Sequence, residues 1–289
     1  MNRKKVSFLL VLPSILIFIL IEMVPILVSF IYSFTNWNGY DWNAKYVGFA
    51  NYVKLITDTG TLSSIKISLY FVFITVAATN ILALILAVIL KDSGIQANFY
   101  RSALFLPVVI SPVAAAYIWK VLFSYDGLLD YIFKGIGLAE KHIGWLENPD
   151  IALYSVCLVA VWKSVGLHIV ILLASIKTIP GELYEAADID GCASWQKFLN
   201  ITLPLIRPGL TISIVLSTIG NLKQYPLVSV LTDGGPVDST QILSIKIIHE
   251  GFRFNQNGFA SAISFLLFTL IMLVTLIQNT LLNRKKVEY

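Results

Sequence analysis

The sequence predicts an all-α membrane protein of six transmembrane helices, with both termini on the cytoplasmic side. Three observations carry that prediction. Only 13% of the 289 residues are charged and 57% are hydrophobic, whereas a soluble domain averages about 25% charged residues. Six apolar stretches, approximately residues 6–32, 65–90, 102–123, 151–176, 209–231 and 259–282, reach the roughly 20 residues that a bilayer crossing needs. Lys and Arg gather at both chain ends and in alternate loops, which assigns those segments to the inside. The whole chain, residues 1–289, reads as one transmembrane domain without a soluble appendage.

The elements follow in order. Arg3, Lys4 and Lys5 look like the start of a signal peptide, yet the apolar run behind them exceeds the roughly 7–15 residues of such a peptide and lacks a cleavage pattern. It also carries Pro13, Glu22 and Pro25, so it reads as a retained first span. Trp37, Trp42 and Tyr46 after that span, and Trp145 before the fourth, fit an outer aromatic belt. The short second loop holds Lys91 and Arg101 and lies inside. Pro107 and Pro112 predict a kink in span three, because each ring removes a backbone donor. The third loop, residues 124–150, is expected to lie partly on the outer membrane surface.

Span four contains Trp162-Lys163-Ser164 and, one turn on, His168. Lys163 and Ser164 are placed to pair between helices. A single histidine such as His168 suits a hydrogen-bonded packing role better than a proton relay. Span five is interrupted by Gly220-Asn221-Leu222-Lys223-Gln224-Tyr225-Pro226. As a helix, this stretch puts Asn221, Gln224 and Tyr225 on one face at i, i+3 and i+4, while Lys223 points elsewhere and snorkels outward. Polar groups in hydrocarbon are costly unless satisfied, so these side chains either join helices or line a substrate path. Broken spanning helices mark transporter sites, which favours the path. Thr232-Asp233-Gly234-Gly235-Pro236 is a turn that ends the span and opens an outer loop reaching residue 258. Arg284, Lys285 and Lys286 put the C-terminus inside.

The chemistry of an engine is missing. No phosphate-binding G-x-x-x-x-G-K-[ST], no G-x-S-x-G and no H-E-x-x-H occurs. The net charge of +4 comes from the inner-face basic residues and does not indicate nucleic acid. Cys157 lies in a span and Cys192 in a cytoplasmic loop, so they are not expected to pair, and three scattered histidines suggest no metal site. The chain moves a solute, or helps to, with energy from elsewhere.

The fourth loop, residues 177–207, supplies the connection to that energy source. Pro180 suits the first turn of a short helix, and Glu182 and Glu185 sit near its positive end. Leu183, Ala186 and Ala187 form a stripe of mostly short side chains that lets another surface approach. Asp190-Gly191 breaks the helix. Ser194 is a candidate cap for the next one, on which Trp195, Phe198 and Leu199 repeat the helical spacing. An interfacial membrane helix favours Lys and Arg on its polar face; this one is acidic, which favours docking on a protein.

Glu185-Ala186-Ala187, three residues, Gly191, nine residues, Ile201, one residue and Leu203-Pro204 resemble the EAA loop of ABC-importer permeases at every position. Val47-Gly48-Phe49-Ala50-Asn51-Tyr52 and Leu231-Thr232-Asp233-Gly234-Gly235-Pro236 resemble the carbohydrate-uptake permeases of the maltose/glycerol-3-phosphate branch, first permease type. The resemblance implies the type I ABC-importer transmembrane fold in a bacterial inner membrane, N-in and C-in. It also implies a second homologous permease, two ATPase subunits, an extracellular or periplasmic solute-binding protein and a sugar cargo. ATP and Mg would then be bound by the ATPase, and this chain would bind no cofactor and catalyse no reaction. Glu182, Glu185, Ala186, Ala187, Asp190 and Gly191 become the ATPase-coupling residues. Sugar contacts of maltose-type permeases align with Asn221, Gln224 and Tyr225, with Lys163 and His168 as further candidates along the path; Lys223 departs from the neutral residue of that pattern. A permease for a non-sugar solute shares the EAA loop but usually not the other two motifs. An ion-coupled secondary transporter needs inverted repeats and carboxylate relays.

Overall fold

The computed structural model describes residues 3–41, 43–91, 94–137 and 142–282. Trp42, Lys141 and the C-terminal Arg284, Lys285 and Lys286 lie outside the described residues. The helices are α1 (Arg3–Phe18), α2 (Val24–Tyr32), α3 (Ala50–Thr57), α4 (Thr59–Ile89), α5 (Ile95–Val109), α6 (Pro112–Leu122), α7 (Leu128–Gly135), α8 (Pro149–Lys177), α9 (Gly181–Ile189), α10 (Ser194–Lys197), α11 (Leu203–Leu205), α12 (Arg207–Leu222), α13 (Pro226–Leu231), α14 (Leu243–Ile248) and α15 (Asn257–Leu282). Among the described residues, four helical stretches are long and apolar enough to cross a membrane, and two bent pairs bring the spans to six when each pair counts as one. The chain divides into two compact units, Met1–Ser63 with Lys246–Thr269, and Ser64–Ile245 with Leu270–Tyr289.

In the first unit, α1 passes into α2 through a π-helical turn, Ile19–Met23. Pro25 explains the wider turn: it has no N–H for the carbonyl one turn back, and its ring needs room there. Glu22 is exposed on this turn. The loop after α2 folds back on the helix end. Asn36 N–H donates to Lys45 O at 3.0 Å and Val47 N–H to Phe34 O at 2.8 Å. The Asn51 amide donates to both Ser33 O and Thr35 O at 2.8 Å, and the Tyr52 hydroxyl meets Ser33 Oγ at 2.7 Å. Asn51 and Tyr52 of the Val47–Tyr52 motif therefore clamp the exit of the first span. At the start of α4, Asp58 Oδ2 accepts from Thr61 N–H at 2.7 Å and Thr61 Oγ1 at 2.6 Å. The Thr61 hydroxyl foremost holds the Asp58 carboxyl below its usual range, against partial burial and with help from Lys246.

The second unit is built on α8, buried along most of its length. One apolar cluster includes Phe71, Phe123, Val156, Val159, Leu227, Leu231 and Ile245; a second includes Ala83, Ala87, Ile169, Leu172 and Ile206. Because lipid is as apolar as leucine, close packing holds such helices together, and small residues permit it. Gly166 shows this: a Cβ there would stand 2.3 Å from Leu104 O on α5.

Span three breaks more sharply than a kink. α5 and α6 meet at 100°, since Pro112 opens a new helix and Ser111 Oγ accepts from Ala114 N–H at 3.1 Å. Pro107 stays inside α5. In the third loop, the buried Asp130 of α7 accepts from the Trp145 indole at 3.0 Å and bonds the His142 ring. Burial raises the cost of the Asp130 charge, yet the bonds from His142 and Trp145 hold its carboxyl below the usual range. The same bond pushes His142 above its ordinary value, against its burial.

The segment expected to be an outer loop up to residue 258 is partly core. Ile242, Leu243 and Ile245 are at most 2% exposed, and Leu243 N–H donates to Ser68 Oγ at 2.7 Å. The Gly234-Gly235-Pro236 turn aims the chain back, with Thr240 Oγ1 donating to Gly235 O at 2.8 Å. This is too short an apolar run to stand out in a sequence.

Candidate functional site

Two regions answer to the sequence expectations. The first is the loop expected on the cytoplasmic side, built on α9 and α10. Pro180 occupies the cap position before α9 and not its first turn. After Ile189 the helix closes through Cys192 N–H to Ala187 O at 2.9 Å and Gly191 N–H to Asp188 O at 3.1 Å. This is the Schellman arrangement, which needs a left-handed residue after the cap; Gly191 supplies it with φ +71. Ser194 does not cap α10. The helix starts one residue earlier, where the Gln196 side chain accepts from Ala193 N–H at 2.7 Å.

The two helices are tied together. Lys197 bridges to Asp188 at 2.5 Å, and the Tyr184 hydroxyl meets Thr202 Oγ1 at 2.9 Å. Glu182, Glu185, Ala186, Asp190 and Gly191 are all exposed. Ala187 is not part of that face: it is 8% exposed, on the side turned toward the chain. In its place stands Ile189, 87% exposed, which completes an i, i+3, i+4, i+7 row with Glu182, Glu185 and Ala186. The sequence reading missed Ile189, although an apolar residue beside three acids on a short helix was a signal.

The second region is the polar middle of the bundle. α12 ends at Leu222 and α13 begins at Pro226, so the helical face expected for Asn221, Gln224 and Tyr225 does not exist. Proline lacks the N–H that would continue the ladder, and it drives the residue before it out of helical geometry; Tyr225 has φ −120 and ψ −56. Asn221 is buried and donates to Ser217 O at 2.8 Å, one turn back. Gln224 and Tyr225 lie half-exposed in the non-helical break.

His168 joins a hydrogen-bonded network across three helices. Ser213 Oγ donates to Asn80 Oδ1 at 2.6 Å, so it receives the His168 Nδ1 proton across their 2.8 Å contact. The Asn80 amide continues to Ser217 Oγ at 3.0 Å. This chain fixes α4, α8 and α12 in register, and Asn80 escaped the sequence reading although an amide within a span is itself a signal. Ser164 pairs between helices as expected, with Thr79 of α4 at 3.4 Å. Among the described residues no group of His, Cys, Asp or Glu could hold a metal ion, and Cys157 and Cys192 are both free thiols.

The family model described as "Binding-protein-dependent transport system inner membrane component" matches residues 63–287. The chain belongs to that family. The probable starch degradation products transport system permease of Thermoanaerobacterium thermosulfurigenes is 30% identical to this permease over 285 residues, covering 97% of this chain and 95% of the relative. The trehalose/maltose transport system permease of Thermococcus litoralis is 29% identical over 277 residues, covering 96% and 93%. A solved bacterial ABC transporter involved in importing the acidic polysaccharide alginate has a chain that superposes with a TM-score of 0.84 at 21% identity, covering 98% of this chain and 96% of that one. The permease thus has the type I ABC-importer transmembrane fold.

Proposed function

We propose that this permease forms one half of the membrane pathway of an ATP-driven importer for a sugar or sugar derivative. Its partners in this reading are a second homologous permease, two ATPase subunits that bind ATP and Mg, and an extracellular or periplasmic solute-binding protein. The chain itself is non-catalytic. The exposed acidic row of α9, closed rigidly at Gly191 and strapped to α10 by Lys197, carries the coupling reading. A short helix held at both ends moves as a body when its partner moves. Glu182 and Glu185 then face basic groups of the ATPase, Ala186 and Gly191 permit close approach, Ile189 adds an apolar contact, and Ala187 and Asp190 shape the helix end. The sugar reading rests on family membership and on the cargoes named for the starch-product and trehalose/maltose relatives. Gln224, Tyr225 and Lys163 are assigned to the cargo path, with Asn221 and His168 holding its walls.

Glu185→Lys tests the coupling. The variant is expected to insert and fold, to lose the ATPase during co-purification, and to lose ATP-dependent uptake of labelled maltotriose or a charged saccharide. Wild-type uptake by this variant would exclude α9 as the coupling element.

A further inference from the structure

Behind the outward row of α9 lies a cavity of about 220 Å³ that the coupling reading leaves unused. Tyr184 and Asp188, one turn apart on α9, form one wall, and Ser194 and Lys197 of α10 form the next. Lys91, just past the end of α4, closes it. The Lys91 ammonium stands 5.4 Å from the centre of the Tyr184 ring, and among the described residues no carboxylate is paired with it. Lys197 bridges to Asp188, which engages one of the three donors of its ammonium. The Tyr184 and Thr202 hydroxyls are taken up with each other. The Ser194 hydroxyl is exposed and makes no hydrogen bond among the described residues. The lining thus carries two positive charges against one negative, with a hydroxyl and several ammonium donors uncommitted.

The apolar side of the lining sets the depth of the cavity. Val88 belongs to the last turn of α4 and Ile176 to the last turn of α8, and the distribution of Lys and Arg puts both span ends on the inner side. Phe198 adds an aromatic ring to the same lining. Span-end apolar side chains beside ammonium groups are the arrangement of the headgroup boundary, where basic pockets between spans take anionic headgroups. Size points the same way. A cavity of about 220 Å³ is smaller than the roughly 300–1,000 Å³ that encloses a whole small-molecule ligand. It suits one polar group of a larger molecule whose chains stay in the bilayer.

We propose that this cavity binds a phosphate group, that of an anionic phospholipid of the inner leaflet, through Lys91, Lys197 and the Ser194 hydroxyl. Bound there, the headgroup joins the inner end of α4 to the α9–α10 pair, so lipid occupancy adds a link between a span and the docking element of the reading above. The test takes the full-length permease in its purified complex and incubates it in detergent with equal amounts of phosphatidylglycerol and phosphatidylcholine. Native mass spectrometry then measures the retained lipid, without and with excess inorganic phosphate. Preferential retention of phosphatidylglycerol is expected. Lys91→Gln should weaken it about fivefold, the share of one lysine beside an anionic headgroup, and Lys91→Arg should restore it. Arg207→Gln, which removes an exposed cation outside the cavity, should leave it unchanged. Retention that survives inorganic phosphate assigns the site to the lipid; displacement shows that the phosphate alone is read, and that soluble phosphate esters share the site. Equal retention of the two lipids, or equal losses in Lys91→Gln and Arg207→Gln, overturns the proposal. The measurement needs neither cargo nor ATP, so a failure of the sugar-importer reading leaves its outcome unaffected.

Discussion

Gly191 is the position where a small change should separate coupling from folding. Its φ of +71 is the left-handed conformation, and a Cβ built there meets nothing within 4 Å. Steric overlap therefore adds nothing to the cost of Gly191→Ala, which reduces to left-handed backbone strain of about 1–2 kcal/mol. Gly191→Asn should cost less, because asparagine visits this region more readily. Gly191→Pro fixes φ near −65° and removes the N–H that bonds Asp188 O at 3.1 Å, and the bond from Cys192 N–H to Ala187 O at 2.9 Å is lost with it. Two such bonds are worth about 1–3 kcal/mol, a substantial part of what holds so short a helix end. Uptake by the reconstituted importer should fall in the order Gly, Asn, Ala, Pro. Asn should stay near wild type, Ala should lose about 5- to 30-fold, and Pro should lose nearly everything, each tenfold step being about 1.4 kcal/mol. All four proteins should insert equally. A proline variant that transports normally, or an asparagine variant worse than alanine, would refute the role given to this cap.

Two further predictions concern stability. Asn80→Leu removes the acceptor for Ser213 and the donor for Ser217, so unfolding in detergent should shift by about 1–2 kcal/mol; an unchanged transition would mean that the network contributes nothing. The Asp130–His142 pair makes the third loop pH-dependent. The lowered Asp130 contributes fully above about pH 4 and is lost as pH falls through its folded value. The raised His142 contributes fully below about pH 6.5 and is lost as pH rises through its own. Trp145 fluorescence should therefore report the tightest loop between those limits, and His142→Gln should erase the alkaline transition; identical profiles would exclude the pair as its origin.

The sequence by itself determined the class of this protein. Apolar runs of bilayer length, basic ends and the acidic Glu182–Glu185 segment are one-dimensional signals, because span length and dipole preference act along the chain. The Glu185–Pro204 pattern likewise identified the loop before any coordinate did. What required the tertiary structure was direction. Pro226 ended α12 at Leu222 and dissolved the face expected for Asn221, Gln224 and Tyr225. Ala187 turned inward while Ile189 turned out, since helix rotation is set by what packs behind it, here Tyr184 against Thr202. Ile242–Ile245 became core because the turn at Gly234–Pro236, about twelve residues after α12, folds them back onto residues far earlier in the chain. Partnerships such as His168 with Ser213, and Ser213 with Asn80, depend on neighbours brought close only by packing, and no local pattern records them.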